Sequence, residues 1–408
     1  MMIKLRSLIF ISTLLVVVAL GTFVFYYVKG YRFDTEKFRF IPNGLLVTKS
    51  DPDGAQVFIN GELKTATNAN VFLPPGTYDV SIRKEGYITW NKRLTVEKEI
   101  VTEANADLFK AVPSLSAVTF STSINPVPSS DFTKIAYVVP SDPQSPNDQN
   151  DHAGLWVLET VNLPLGFARD PRRITDGELS EASWEWSPDG REIMLTTNLG
   201  VFLLDAGRYT PQNQRVNIAS TKESIVLKWE KERKTKFAAQ IRRFPDELVE
   251  LLERRSSSVL FSPDKDKILY TASSSATLND NIIANTLPGA STQRQERYIK
   301  TNHTYVYDIK EDRNFLIDDH SDNLVIGNEL HDITNRRLTW FPTSRHLVMA
   351  EEGKVTIMDY DGTNKQEVYT GSYISPHAFP TVSDKRLLLL TNLGADSGSS
   401  NIYSLTLK

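Results

Sequence analysis

The 408-residue chain contains no cysteine. That absence excludes disulfides, thiolate zinc sites and thiol nucleophiles together, and leaves stability in an oxidising compartment to packing alone. Histidine is scarce: His152, His303, His320, His331, His346 and His377 are scattered, and no two form a His-x-x-x-His or His-Glu-x-x-His pair. Net charge is also small, at -4, which gives no sign of a surface built for a phosphate backbone, so no nucleic-acid partner is expected. No Gly-x-Ser-x-Gly occurs, and Gly394-Ala395-Asp396-Ser397-Gly398 lacks a second Gly after it and matching His and Asp contexts, which makes it a Gly/Ser-rich loop. Asp318-Asp319-His320-Ser321-Asp322 with His331-Asp332 is the most metal-like cluster, but it reads better as a solvated acidic loop. Asp359-x-Asp361-Gly362 lacks the later ligands of a calcium loop and reads as a turn. Catalytic, cofactor and metal residues are therefore all expected to be absent, and the chain is read as a non-enzyme.

What is present is globular in composition, with 40% hydrophobic and 24% charged residues, and long enough for two cores. From Ser7 to Val28 the chain is free of charge: SLIFISTLLVVVALGTFVFYYV. A run of this length at about 1.5 Å per residue matches a hydrocarbon core of roughly 30 Å. Tyr26, Tyr27 and Tyr31 stand at its far end, where amphipathic rings favour an interface. A cleaved signal peptide with Ala19 and Gly21 at the cut is the competing reading, but the apolar run continues through Phe23, Val24, Phe25 and Val28. Basic residues flank the span on both sides (Lys4 and Arg6; Lys29, Arg32, Lys37 and Arg39), so charge alone does not orient it. The short N-terminus favours N-in, with residues 1–29 as a single-pass anchor, 30–43 as a charged linker and everything after it extracytoplasmic.

Residues 44–110 alternate short apolar runs with turn residues. Leu45–Val47, Gln56–Ile59, Tyr78–Ile82 and Leu94–Val96 read as strands, and Asn60-Gly61 after the second run is a strong hairpin signal. Pro74-Pro75-Gly76 and Glu85-Gly86 mark further turns. Ser50-Asp51-Pro52-Asp53-Gly54-Ala55-Gln56-Val57-Phe58-Ile59-Asn60-Gly61, Leu73-Pro74-Pro75-Gly76-Thr77-Tyr78 and Lys84-Glu85-Gly86-Tyr87 together resemble a PEGA domain, with Asp53 in the Glu position and Thr65-Ala66-Thr67-Asn68 where the family carries Gly-x-Thr-Pro. The resemblance implies a small β-sandwich of the cell envelope without catalytic residues. Tyr87 and Trp90 are expected in or beside its core; the functional alternative is a sugar-stacking surface on these two rings.

Beyond Pro113 one pattern recurs: a strand end, a Ser-Pro-Asp-Gly-like turn, then an alternating strand. Its copies begin at Pro128, Trp186, Phe261, Trp340 and Val382, and Trp186-Ser187-Pro188-Asp189-Gly190 is the fullest. The spacing is uneven, about 40 residues between the last two copies and over 70 between the middle ones, but repeats built only of strands indicate blades around an axis. The arrangement is similar to TolB-like, WD-repeat-like β-propellers over residues 111–408, with five or six blades expected and Leu115–Ser121 pairing with the last strands to close the ring. Residues 229–255 break the pattern: Phe237, Ile241, Phe244, Leu248, Leu251 and Leu252 recur at helical spacing, and Pro245-Asp246-Glu247 starts a second helix. This helical insertion is basic at Lys231, Arg233, Lys234, Lys236, Arg242 and Arg243. Packing against the ring is its plain reading, and a partner-docking or membrane-facing element the alternative. Pro140–Gly154 is a long polar loop.

The expectation is an all-β protein: an N-terminal transmembrane helix, a PEGA-type sandwich and a propeller. Its function would be binding or scaffolding at the envelope, with the membrane and an envelope protein or polysaccharide as partners. Tyr87, Trp90, Arg242 and Arg243 are the candidate contacts. The alternative is a propeller-type hydrolase or lyase acting on envelope polymer with carboxylates gathered at the axis.

Overall fold

Asn60 and Gly61 adopt φ of 51° and 84°, the positive-φ pair that a two-residue hairpin needs to match strand twist. They join Gln56–Ile59 to Glu62–Ala66. In the computed structural model, which describes residues 2–34, 39–141, 152–162, 169–284, 286, 288–328, 335–382, 385–394 and 399–408, this hairpin belongs to the first of two compact units. The first comprises Met1–Leu108 and Pro288–Gln293; the second comprises Phe109–Leu287 and Arg294–Lys408.

The first unit opens with helix α1, Met2–Val28. Its Ile9–Val28 portion is long and apolar enough to cross a membrane, and none of it is buried. Two sheets follow. One runs Ala69–Leu73, Gly44–Asp51, Val101–Asp107, the last two parallel; the other runs Glu62–Ala66, Gln56–Ile59, Gly76–Arg83, Trp90–Val96. Alternate residues such as Leu46, Val57, Ile59, Val80, Ile82, Leu94 and Ala104 face inward and form one core, the period-2 burial of a sandwich. Trp90–Val96 is an edge strand, and residues 288–293 cover it. Thr95 N donates to Ala290 O at 2.9 Å, Thr292 N donates to Arg93 O at 3.2 Å, and Ala290 packs against the sandwich core. A strand edge left open is a template for unwanted pairing, and this late segment of the chain closes it.

The second unit contains five sheets among the described residues, apart from one two-stranded ladder. In chain order the first is Ile124–Pro128, Lys134–Val139, Gly154–Glu159, Arg172–Asp176, and the second is Ser183–Trp186, Glu192–Thr197, Gly200–Asp205. The third is Ser256–Phe261, Lys267–Ala272, Thr304–Asp308, Arg313–Asp318. The fourth runs Leu324–Ile326, Arg336–Trp340, His346–Glu351, Lys354–Asp359, Gln366–Thr370. The fifth is Ala378–Pro380, Arg386–Thr391 and Asn401–Thr406, with Ser114–Ala117 added outside the last strand. That pairing of an early strand with the final one is the ring closure expected from Leu115–Ser121.

Shared hydrophobic clusters give the ring order. Ala136 and Val157 of the first sheet pack with Ile193 and Leu195 of the second. The third and fourth sheets share Leu269, Val306, Leu338 and Leu347; the fourth and fifth share Val348, Ile357, Leu387 and Leu389. The fifth returns to the first through Leu388, Ile402, Ile135 and Tyr137. Between the second and third sheets stand helices α2, Lys222–Ile241, and α3, Asp246–Arg254. Trp229 of α2 packs with Met194 and Val201 of the second sheet, while Ile241, Leu248, Leu251 and Leu252 pack on Ile268, Tyr270 and Tyr305 of the third. The packing cycle therefore has six positions, five filled by sheets and one by two helices, which is a β-propeller with a helical segment in its ring. Helix α2 begins at Lys222, seven residues before the insertion expected from Trp229, and α3 begins where Pro245-Asp246-Glu247 placed it.

Candidate functional site

The recurring turn is a hydrogen-bonded clasp. Ser129, Ser187 and Ser262 each donate through Oγ to the aspartate two residues on, Asp131, Asp189 and Asp264, at 2.6–2.7 Å. Each Oγ also accepts the N–H five residues later, from Lys134, Glu192 and Lys267. Thr381 accepts from Arg386 N in the same way at 3.1 Å. The clasp starts the second strand of the first, second, third and fifth sheets in a fixed register. In the fourth sheet Phe341 replaces the serine, and a different chain forms: Thr343 Oγ1 lies 2.8 Å from His346 Nδ1, and His346 Nε2 lies 3.4 Å from Asp359 Oδ1. Hydroxyl, imidazole and carboxylate follow the order of a nucleophilic triad. The imidazole is only 3% exposed and packs edge-on against Phe109 at 5.3 Å, so this set acts as a buried strut.

The aromatic before the clasp bridges neighbours. Trp186 Nε1 donates to Val127 O of the first sheet at 2.9 Å, and Trp340 Nε1 donates to Leu260 O of the third at 3.0 Å. The third sheet, whose preceding neighbour is helical, carries Phe261 instead, stacked on Phe244 at 6.2 Å and 12°.

One concavity lies between the fifth and first sheets. It is a cleft of about 260 Å³ lined by Val118, Phe120, Tyr137, His152, Trp156 and Asp170, with Thr119, Ser121, Val139 and Pro171 between them. Tyr137 and Trp156 come from paired strands and stand directly opposite each other in the register. Trp156 Nε1 is held by His152 O at 2.9 Å, which fixes the indole plane. Phe120 sits at the rim and is 88% exposed. Its loop is nevertheless pinned: Val118 N donates to Ile402 O at 2.8 Å, Ile402 N donates to Thr119 Oγ1 at 2.8 Å, and Ser400 Oγ donates to Ser123 O at 2.6 Å. Burial pushes the Tyr137 phenol well above its ordinary range, so its O–H stays protonated at any physiological pH.

A second cleft of about 310 Å³, between the third and fourth sheets, is charged but self-neutralised. Arg336 pairs with Asp318 at 2.5 Å and with Glu351 at 3.4 Å, and Lys354 pairs with Glu351 at 3.3 Å.

The residues proposed from sequence are dispersed. Trp90 is 3% exposed and part of the sandwich core, so its ring face is not offered to a sugar; Tyr87 packs against the same core. That corrects the stacking surface drawn from these two rings: the strand alternation puts Trp90 on the inward face. Arg242 and Arg243 are both exposed; Arg243 donates to Lys265 O at 2.8 Å and lies 4.8 Å over the Phe244 ring. On the outer face of α2, Leu227 is 64% exposed beside Glu230, Lys231 and Lys234. In the acidic loop Asp318 is held by Arg336, Asp319 by His320 at 2.8 Å and Asp322 by Asn302 at 2.7 Å. No grouping of three metal-ligating side chains occurs among the described residues. Asp361 accepts from Thr363 Oγ1 at 2.6 Å and closes its turn. His331-Asp332, residues 395–398 of the Gly/Ser loop and residues 142–151 of the long polar loop lie outside the described residues. Tyr137, Trp156 and Phe120 were not singled out from sequence: Tyr137 and Trp156 read as ordinary strand residues and Phe120 as part of a connecting loop.

A small sandwich followed by a propeller is the class that these sheets define. Residues 43–111 match the PEGA domain family, the segment in which the sandwich strands lie. No curated protein matches the sequence. Among solved structures, the β-propeller domain of a protein from Myceliophteria thermophila is 9% identical, covering 72% of this chain and 100% of that one, with a TM-score of 0.29. A TolB-type protein from Agrobacterium tumefaciens is 11% identical, covering 69% and 78%, with a TM-score of 0.22. TolB from Acinetobacter baumannii is 12% identical over 81% of this chain and 60% of that one, with a TM-score of 0.18. At such scores these likenesses carry no weight of their own, and the propeller rests on the sheet order and packing cycle above.

Proposed function

We propose that this is a membrane-anchored, extracytoplasmic binding protein whose propeller captures an envelope protein through the cleft between its fifth and first sheets. The observation that carries this reading is an 88%-exposed phenylalanine, Phe120, on a loop pinned at both ends beside Tyr137 and Trp156. Large exposed apolar side chains held rigidly mark interaction sites, because their ordering cost is met before binding. A cleft of about 260 Å³ is smaller than ordinary small-ligand pockets and suits one or two side-chain anchors of a polypeptide. The anchor role of α1 is supported by an exposed apolar helix of 20 residues, Ile9–Val28, and by a PEGA domain directly after it. The hydrolase alternative asks for paired carboxylates at the ring interior, and no observation favours it.

The test uses the full chain in detergent, with a photo-crosslinking amino acid at position 120. Crosslinking in intact envelopes is expected to yield one discrete protein. That protein, once purified, is expected to bind wild type and to lose about 30-fold in affinity with Phe120→Ala or Trp156→Ala. Equal affinity of both variants, or no crosslinked species, would refute the reading.

A further inference from the structure

Among the described residues of the ring, Arg337 is a buried charged side chain that ordinary pairing does not account for. It is fully buried (0% exposed) and lies opposite Ala350 in the fourth sheet. Its Nη1 donates to Gly327 O at 2.8 Å, while its Nε and Nη2 meet no acceptor. The Cζ atom sits 4.9 Å over the Phe379 ring, and the ring of His377 lies 5.9 Å from that same phenyl. His377 is itself buried at Nδ1 without a partner. Tyr373 points elsewhere, donating to Glu351 O at 2.5 Å and Lys354 O at 3.3 Å.

These groups belong to the inner side of the ring. Asn328, next to Gly327, donates to Pro128 O at 3.4 Å, which joins the fourth sheet to the first across the intervening fifth. A contact between sheets that are not neighbours in the packing cycle can only run through the interior. Phe379 lies on Ala378–Pro380, the edge strand of the fifth sheet opposite its closing strand.

An unpaired guanidinium in such a place is costly, since a buried charge is normally offset by an opposite charge and a full set of acceptors. The two idle nitrogens have a definite geometry: Nε and Nη2 form the side-on edge of the guanidinium, two parallel N–H donors that match the two oxygens of a carboxylate. Among the described residues no carboxylate acts on either group. Burial holds the Arg337 guanidinium down to about 9, and burial followed by the nearby guanidinium holds the His377 imidazole down to about 3. The histidine is therefore neutral at physiological pH, adding one donor and one acceptor and no second positive charge. The Phe379 ring supplies an apolar wall.

We propose that Arg337, with His377 and Phe379 beside it, is a receptor for an organic carboxylate inside the propeller ring, separate from the aromatic cleft. The carboxylate would take the Nε–Nη2 edge, and an apolar body attached to it would lie along Phe379. Because Arg337 has no exposed surface, occupancy requires local opening of the ring's inner edge, and binding is slow to equilibrate. A free aromatic acid and the C-terminus of a peptide present the same group, so the probes separate them.

The experiment follows the melting temperature of the full chain in detergent at constant ionic strength with benzoate, benzamide or N-acetylphenylalanine. Benzoate is expected to raise Tm on the order of 5 °C at saturating concentration, and benzamide to leave it unchanged. A larger response to N-acetylphenylalanine than to benzoate identifies a peptide C-terminus as the source; a smaller one identifies a free acid. Arg337→Met, which replaces the cation by an apolar chain of similar length, is expected to melt no lower than wild type and to lose the benzoate response. Arg337→Lys keeps the charge without the fork and is expected to show a much reduced response. In wild type the Arg337 Nε–H resonance, assigned by its absence from the lysine variant, is expected to shift with benzoate and not with benzamide, a reading that does not depend on the methionine variant folding. A wild-type Tm indifferent to benzoate, an equal response in Arg337→Met, or an unmoved Nε–H resonance would overturn the proposal.

Discussion

Two junctions of the ring do the same job with different parts. Between the first and second sheets, Trp186 donates to Val127 O, Ser130 Oγ donates to Pro188 O at 3.3 Å, and Lys134 Nζ donates to Gly190 O at 2.8 Å. Between the second and third sheets, helices α2 and α3 intervene, yet the turns are bridged again. Lys236 of α2 donates to Pro188 O at 3.3 Å, and Arg243 donates to Lys265 O at 2.8 Å. Phe261 stacks on Phe244 where the next junction uses a tryptophan N–H. A ring of this kind needs each position to cover an apolar sheet face and to satisfy the neighbouring turn. An amphipathic helical pair can meet both demands, and α3 does so with Leu248, Leu251 and Leu252 on one face and Asp246, Glu250 and Glu253 on the other.

If the helical position is a full member of the ring, the largest effect comes from its core. Leu248→Ala removes a completely buried side chain at the face shared with the third sheet and is expected to cost about 2–5 kcal/mol in urea unfolding. A helix merely resting on the ring's outside would lose far less. Trp186→Phe tests the sheet-to-sheet junction. It keeps most of the apolar ring but leaves Val127 O without that donor, with an expected loss of about 1–3 kcal/mol. An effect of Trp186→Phe exceeding that of Leu248→Ala would invert the comparison.

The smallest expected effect concerns pH. The Ser187 hydroxyl holds the Asp189 carboxyl below its ordinary range, outweighing desolvation. At Asp131 and Asp264 desolvation works against the shift, but hydrogen bonds, those from Ser129 and Ser262 first, still bring both carboxyls down. A depressed carboxylate contributes stability that is present above its unfolded pKa, near 4, and is lost as pH falls through the folded value. Unfolding midpoints are therefore expected to hold from pH 6 to about 4 and to fall below it. Ser187→Ala should flatten that acid limb slightly, and an unchanged limb would mean the clasp at this junction is not coupled to folding.

Much of this architecture was legible in the sequence, because hairpins and blade turns are local. Asn60-Gly61, the Ser-Pro-Asp-Gly copies and the helical spacing from Phe237 to Leu252 each carry their own signal within a dozen residues. The choice between five and six blades stayed open for a physical reason: one ring position is helical, and strand counting has no way to score it. The candidate sites were less legible. Alternation gives the face on which a residue lies, not its neighbours, so Trp156 and Arg337 looked like routine members of buried strands. Trp90 shows the converse, an aromatic whose inward face follows from its strand but whose chemistry invited a surface role. Residues 288–293 carry no strand pattern, and their place on the edge of the sandwich becomes visible only through the backbone bonds to Arg93 and Thr95.

Hydrogen exchange on Leu248→Ala puts the ring to its most direct test. Ring membership predicts that protection falls together in α2, α3 and the second and third sheets, and extends to the closing pair Ser114–Ala117 and Asn401–Thr406 on the far side of the cycle. Loss of protection confined to Lys222–Arg254, with the closing strands as slow as in wild type, would contradict it.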